Sequence, residues 1–580
     1  VIAPHVGGGF GAKAGLYHEF LSIARASQRV GRPVRWVETR SENLVGLNQG
    51  RAQIHWVEMG FTEDGRITGL RLRVLADSGA YPGLAGMLAA GPTRMLSQGV
   101  YEIPKLDYGA VAVATNTTPV GAFRGAGRPE ATALLERIMD MAAAEFGLDP
   151  AEIRRRNFIA DGAFPYVTRT GVTYDSGEYA KPLEEALALA GYGDLRKEQQ
   201  ARRERGDTLQ LGIGLGSYVE ITAGGMSSEF GSVEVHQDGT ATIRVGTSAH
   251  GQGHDTSFSM LVADRLGIPM ESVRFVQSDT ALVPQGSGTG GSRSLQIGGT
   301  AVLNAAEAVL AKAKRLVGHL LEAAPEDIVL DDGGRLAVAG VPGSALTWSE
   351  IAQAAADPER RPEGWAEEVP AGGEGQVQPD GLGAAVIFKQ DGASFPFGTH
   401  VAVVEVDTET GGTRLLRHVA VDDCGFVLSP LIVAGQQHGG IAAGAGQALF
   451  EEIQYDEDGN PLTGTLIDYL MPSAADLPSF EVSGTETLSP LNPLGVKGIG
   501  EAGTIGATPA VQNAVIDALS HLGIRHLDMA LSPQRIWAAI EDARLGRPVG
   551  AWTDPPAAMY AKPAGSDGPS ADDLEAASGI

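Results

Sequence analysis

"GVKGIGEAGTIGATP", residues 495–509, carries a single carboxylate, Glu501, in a run of glycine, alanine and small β-branched residues. Flanking glycines let backbone come close to whatever the acid faces. The end of the run predicts a helix over 509–523, with Thr508 as its cap and Pro509 in its first turn. A lone acid with so little side chain around it needs an explanation from the rest of the chain.

The chain has 580 residues, enough for two to four domains and a large core. It contains 79 glycines, about twice the average share, which implies many tight turns and close backbone approaches. A net charge of −27 excludes nucleic acid and anionic membrane surfaces as bulk partners. The single cysteine, Cys424, excludes an internal disulfide, a multi-cysteine zinc site and a four-cysteine iron–sulfur cluster in this chain. It fits a reducing compartment and a cytoplasmic location, and no run of 18 apolar residues marks a membrane span. The chain opens on Val1 inside the strand-like "VIAPHV", so the true N-terminus is expected to lie upstream.

Strand and helix patterns alternate irregularly. "RPVRWVE" (32–38) and "ITGLRLRVLADSGAY" (67–81) read as strands, and "PEATALLERIMDMAAAEFGL" (129–148) as a helix stopped at Gly147. The charged segment 194–208 reads as a helical connector. Asp238-Gly239 predicts a hairpin within 231–246, and 400–423 a second one around a Gly-Gly turn. Further helices are expected at 255–267, 300–323 and 432–450, a surface loop or linker at 357–383, and a flexible tail over the last ~30 residues. The class is α+β.

Four more stretches are rich in glycine. In "HVGGGFGAK" (5–13), Gly7, Gly9 and Ala12 match a dinucleotide fingerprint, with Glu38 ending a later strand. A structural turn satisfies the same letters. "TPVGAFRGAGRPEA" (118–131) sets Arg124 and Arg128 just before a helix start, which suits an anion or simply caps a turn. "GTSAHGQGHDTSF" (246–258) places Gly251, Gln252 and Gly253 at another helix start; His250 and His254 are four apart but lack an obvious third metal ligand. "GSGTGGSRSLQIGGTAV" (286–302) offers Ser292, Arg293 and Ser294 as donors for a phosphate or pterin. No G-x-S-x-G occurs, so serine hydrolase chemistry finds no support, and Cys424 reads as a small buried residue.

Taken in order, "GGGFGAK", "AFRGAGRPE", "GQGHDT", "GSGTGGSRS" and "GVKGIGEAG" resemble the molybdenum-binding large subunit of the molybdenum hydroxylases, the xanthine oxidase and aerobic carbon monoxide dehydrogenase superfamily. The resemblance runs from Val1 to about residue 545. It implies two large mixed α/β molybdopterin-binding domains, 1–193 and 209–545, joined by 194–208 and followed by a tail at 546–580. It further implies molybdenum held through a pterin dithiolene, in the cytosine dinucleotide form, with no direct protein ligand to the metal. Matched to the family's motifs, Gly8, Gly9, Phe10, Gly11, Arg124, Gly251, Gln252, Gly253, Gly291, Ser292, Arg293, Ser294, Gln436 and Gly500 would contact the cofactor, while Phe10, Arg124, Gly125 and Ala126 line the metal centre. Glu501 matches the catalytic base, and a confined, dry site is expected to raise its pKa toward the operating range.

Because one cysteine cannot ligate an iron–sulfur cluster, the family's [2Fe–2S] clusters and FAD are expected on a small and a medium partner subunit, in a dimer of heterotrimers. Copper-containing carbon monoxide enzymes carry cysteine where this chain has Gly125, and xanthine and aldehyde oxidases a phenylalanine where it has Ala126. The loop instead resembles that of "form II" homologues. Aldehydes or N-heterocycles are the implied substrates. A NAD-dependent Rossmann dehydrogenase, which needs a βαβ unit in the first 40 residues, is the alternative enzyme class; a non-catalytic cofactor-binding protein is the other.

Overall fold

The computed structural model describes residues 1–3, 5–82, 90–225, 228–365, 381–550 and 553–560. Labelled in chain order, the strands that carry the architecture are β1 (Gln53–Phe61), β2 (Ile67–Asp77), β3 (Leu106–Val113), β4 (Leu209–Val219), β5 (Ser228–Val235), β6 (Ala241–Val245), β7 (Val273–Val276), β8 (Leu382–Lys389), β9 (Phe397–Asp407), β10 (Thr413–Asp423) and β11 (Glu481–Thr485). The principal helices are α1 (His18–Val30), α2 (Arg128–Phe146), α3 (Tyr192–Arg205), α4 (His254–Leu266), α5 (Thr300–Leu320), α6 (Pro430–Leu449) and α7 (Ala502–Leu519).

Three sheets form the frame. β1 and β2 are antiparallel and β3 runs parallel to β2; α2 covers this sheet through Leu134, Leu135 and Met139 against Leu72 and Val74. A second sheet, β8-β5-β6-β7, is covered by α4 and α5, with Val233, Ile243, Phe258, Val262, Val302 and Val309 in one core. The third, β11-β10-β9-β4, is antiparallel except for the β10/β11 pair.

The third sheet meets α7 at unusually close range. In β4, "LQLGIGLGSYV", glycine alternates with aliphatic residues, so the period of two puts Gly212, Gly214 and Gly216 on one face and Ile213 and Leu215 on the other. Ile213 and Leu215 enter a core with Leu183, Val401 and Val419. The glycine face takes α7. A Cβ on Gly212 would stand 1.9 Å from the Ala514 carbonyl oxygen, one on Gly214 2.1 Å from that of Ala510, and one on Gly216 2.6 Å from that of Gly506. Every residue of α7 from Ala502 to Ile516 is buried. On its other side α6 approaches through Gly440 and Gly444, facing Gly503, Thr504 and Ala507.

Several expectations hold: the hairpin around Asp238-Gly239 pairs Gly231–Val235 with Ala241–Val245, and β9 and β10 form the second. Others are corrected. Residues 32–38 form no strand; Val34 and Val37 are exposed, so the alternation buries nothing, and Pro33 lacks the N–H a ladder would use. The helix α1 occupies 18–30 instead, and the described part of the first 40 residues contains no strand–helix–strand unit, so the dinucleotide fingerprint lacks its fold. Only an isolated bridge, Ile2 to Asp279, appears where "VIAPHV" suggested a strand.

α7 begins at Ala502 rather than at Pro509, which sits inside the helix. Thr508 does not cap it: its hydroxyl donates to the Thr504 carbonyl at 2.9 Å, one turn back. Tertiary burial against β4 outweighs the hydrogen bond that proline removes. Residues 366–380 of the expected 357–383 linker, and 551–552 and 561–580 of the expected tail, lie outside the described residues. Within the described part of the tail, Met559 is buried and Arg73 lies over the Tyr560 ring at 5.0 Å.

The fit of α7 to the glycine face predicts that Gly214→Val cannot be accommodated. Overpacking should cost about 3 kcal/mol, read as a large drop in thermal midpoint or loss of soluble protein; a wild-type melting curve would contradict the packing described.

Candidate active site

The orientation of α7 on β4 brings two carboxyl groups together. Because Gly216 faces Gly506 while Gly212 faces Ala514, the helix N-terminus lies at the strand's C-terminal end. Glu501 directly precedes α7, and Glu220 directly follows β4. Arg128, at the start of α2, reaches both: its Nη2 donates to Glu501 Oε2 at 3.0 Å and contacts Glu220 Oε1 at 3.4 Å. The Ser292 hydroxyl donates to Glu501 Oε2 at 2.7 Å and lies 3.3 Å from Glu220 Oε1. The Gly125 N–H donates to Glu501 Oε1 at 2.8 Å. Glu501 retains 16% side-chain exposure, whereas Glu220 is fully buried.

These contacts reverse the expected direction for Glu501. Burial pushes its pKa up, but the Arg128 guanidinium, the Ser292 hydroxyl and the Gly125 N–H together outweigh it and hold the carboxyl below its ordinary value. It is a pre-ionised group, not one raised toward neutrality. Glu220 goes the other way: burial first, then the neighbouring Glu501 charge, push it well above the ordinary carboxylate range.

Both carboxyls lie beneath a cavity of about 2080 Å³ lined by segments far apart in sequence. The 7–14 loop forms one wall, with Phe10 in a left-handed conformation (φ 52°) and exposed, and Gly9 beside His250. Gly11 needs its φ of +105° and its missing Cβ, which would meet the Ala122 carbonyl oxygen at 2.5 Å. Gly251, Gly288 and Gly291 turn bare backbone toward open space, with nothing within 4 Å of where a Cβ would stand. Ser292, Gln436 and Gly500 complete the surroundings, Gly500 lying next to the Ser292 hydroxyl, while Gly8 lies behind the Phe10 ring and is not among the lining residues.

Several expected ligands are already engaged. Arg124 Nε donates to the Gly500 carbonyl at 2.6 Å and Nη2 to that of Gln436 at 3.0 Å, while its guanidinium lies over the Phe10 ring at 5.5 Å. It ties three walls together and is not a free anion site; Arg128 is likewise committed to the carboxyls. Arg293 faces away from the cavity. Its guanidinium is 1% exposed, turned inward onto Glu229 and the Ser228 and Gly288 carbonyls, and does not line the cavity. The Gln252 side chain accepts from the His250 N–H, while Gly253 (φ 72°) caps α4. The Ser294 hydroxyl bonds Thr247 and Thr289. Gly125 and Ala126 (φ 103° and 28°) make the left-handed turn that aims the Gly125 N–H at Glu501.

His254 is buried and stacked on Phe258, its pKa pushed down by burial, then by His250, to about 4; no group of three potential metal ligands occurs among the described residues. Cys424 is buried, its thiol pushed up by burial to about 12.

Glu220 was not apparent from sequence. The signal was present: a lone charge at the end of "LGIGLGSYVE", a run otherwise free of charge, must be buried with a partner or neutral.

The glycine-lined cavity is far larger than a usual small-molecule pocket and has room for a bulky organic cofactor above the Glu501 carboxylate. The molybdopterin cofactor-binding domain family matches residues 1–158 and again residues 185–478. The chain is 37% identical over 565 residues to the carbon monoxide dehydrogenase large chain of Hydrogenophaga pseudoflava, covering 94% of this chain and 68% of that one. It is 35% identical to the nicotine 6-hydroxylase large subunit of Paenarthrobacter nicotinovorans, covering 92% and 65%. The solved quinoline 2-oxidoreductase of Pseudomonas putida 86 superposes with a TM-score of 0.86 at 36% identity, over 94% of this chain and 69% of that one. The chain belongs to the molybdenum hydroxylase family and is the molybdenum-binding catalytic subunit of an oxidoreductase. It spans about two thirds of the length of these relatives. No helix among the described residues is long and apolar enough to cross a membrane.

Arg293 also yields a test of the loop. Replacing it with methionine leaves Glu229 buried and unpaired, at a cost of about 3–5 kcal/mol. Limited proteolysis should then cut within 286–294 first; unchanged protection would show that the ion pair does not hold the loop.

Proposed function

We propose that this chain hydroxylates an electron-poor carbon of an N-heterocycle or aldehyde, with water as the oxygen source and Glu501 as general base. The observation that carries this is the ionised carboxylate, fixed by three donors yet still open to the cavity. The residues fit the family's cofactor: the bare backbone at Gly251, Gly288 and Gly291 faces open space and would take pterin and phosphate oxygens, in the cytosine dinucleotide form. Molybdenum held by the pterin's dithiolene would supply the two-electron acceptor and activate water there.

The chain's own residues do the remainder. Phe10, Arg124 and Ala126 line the cavity, and with Gly125 they would flank the metal centre by the family's pattern. Arg124 holds that wall in place through the Gly500 and Gln436 carbonyls. Glu501 presents its ionised carboxylate and takes a proton, and Arg128 and Ser292 keep the carboxylate aimed. Gly125 and Ala126 project almost no side chain, which leaves room for a flat ring. N-heterocycle relatives (the nicotine and quinoline enzymes) support that substrate class. Carbon monoxide oxidation at a copper centre is disfavoured, because position 125 offers no thiol and the sole cysteine is buried as a neutral one.

The large-chain and large-subunit relatives support passage of electrons to an iron–sulfur subunit and an FAD subunit, in a dimer of heterotrimers placed in the cytoplasm.

Glu501→Gln should retain molybdenum, measured by elemental analysis of the purified complex, and lose turnover by about 10²–10⁴-fold. Turnover near wild type with metal retained would refute the base assignment.

A further inference from the structure

Two carboxyl groups share one arginine and one serine beneath the cavity, and their contacts are unequal. Glu501 takes 2.7, 2.8 and 3.0 Å hydrogen bonds from Ser292, Gly125 and Arg128. Glu220 Oε1 has only the longer 3.3 and 3.4 Å contacts to the same serine and arginine. Its Oε2 is buried with no hydrogen-bond partner among the described residues. Charge-assisted bonds are the shorter ones, and a bare buried anionic oxygen is costly.

Counting donors sharpens the asymmetry. Ser292 has one hydroxyl proton, and at 2.7 Å it goes to Glu501. Arg128 brings one positive charge, enough to compensate one carboxylate. Arg124, a second cation nearby, spends Nε and Nη2 on the carbonyls of Gly500 and Gln436 and bonds neither carboxyl, and Arg51, a third, faces Glu130 and donates to the Phe123 and Arg124 carbonyls. Tyr218, the nearest titratable group on β4 itself, donates its hydroxyl to Asp422 and to neither carboxyl of the pair. Glu130, facing Arg128 and Arg51 from α2, adds further negative charge.

We propose that Glu220 and Glu501 form a one-proton carboxyl pair, in which Glu220 is the neutral acid and positioning residue and Glu501 the anion. The proton on Glu220 serves Glu501 in two ways. It removes a second negative charge that would otherwise raise the affinity of Glu501 for protons, and it lets Glu220 donate to the Glu501 carboxylate. Burial and the Glu501 charge both favour the proton on Glu220. The pair therefore titrates as a unit. The consequence for catalysis rests on Glu501 being the base; the protonation state itself does not.

Difference infrared spectroscopy of the intact protein at neutral pH tests the pair. Wild type minus Glu220→Gln should show the loss of one neutral carboxylic-acid C=O band with carboxylate intensity unchanged. Loss of a carboxylate band instead would overturn the proposal. If Glu220→Gln does not fold, Glu501→Gln answers the same question: without the neighbouring anion, the neutral-acid band should ionise at lower pH than in wild type, and an unmoved titration overturns it.

In turnover, Glu220→Gln, neutral and able to donate, should keep the acid limb of kcat/KM where the wild type has it, while Glu220→Ala should move it upward. A downward move in Glu220→Gln would mean that Glu220 was charged. These outcomes differ from failure of the base assignment, which Glu501→Gln reports through turnover alone.

Discussion

The close approach of α7 to the glycine face of β4 is the constraint on which the site depends. Strand and helix meet backbone to backbone because positions 212, 214 and 216 carry no side chain. That contact fixes both depth and direction, so the strand's last turn outward delivers Glu220 to the place where the helix begins at Glu501. Neither carboxyl is held by its neighbours in sequence. Arg128, Ser292 and Gly125 reach Glu501 from chain segments more than 200 residues away. The bare surroundings of Glu501 are thus clearance on both sides, for the helix packing behind it and the cavity in front.

The same economy of side chains recurs around the cavity. Gly440 and Gly444 let α6 lie against α7, and α6 carries Gln436 to the rim. Arg124 then bolts Phe10, Gln436 and Gly500 together through the Phe10 ring and the two carbonyls. Guanidinium groups here organise protein, and bare backbone is left to meet a ligand. Residues whose type suggested anion binding turn out to be braces.

What was legible in the sequence follows from how local each signal is. Hairpins set by Asp238-Gly239 and the Gly-Gly turn carry their own turn chemistry and emerge where expected. The order of glycine-rich stretches marked the segments that converge. The start of α7 was misplaced because Thr508-Pro509 is a strong local cap signal that burial against β4 overrides. The strand at 32–38 failed because its alternation buries nothing, Val34 and Val37 being exposed. Arg293 and Glu501 needed partners visible only in three dimensions: Glu229 for the first, and Arg128 for the sign of the second.

Arg128, Ser292 and Gly125 hold the Glu501 carboxyl below its ordinary pKa, so that it meets any substrate as an anion. The pH dependence of kcat/KM in the assembled enzyme measures this most directly. The account predicts an acid limb below the ordinary glutamate value, moved upward in Arg128→Met. An acid limb near neutrality, unaffected by that change, would contradict it.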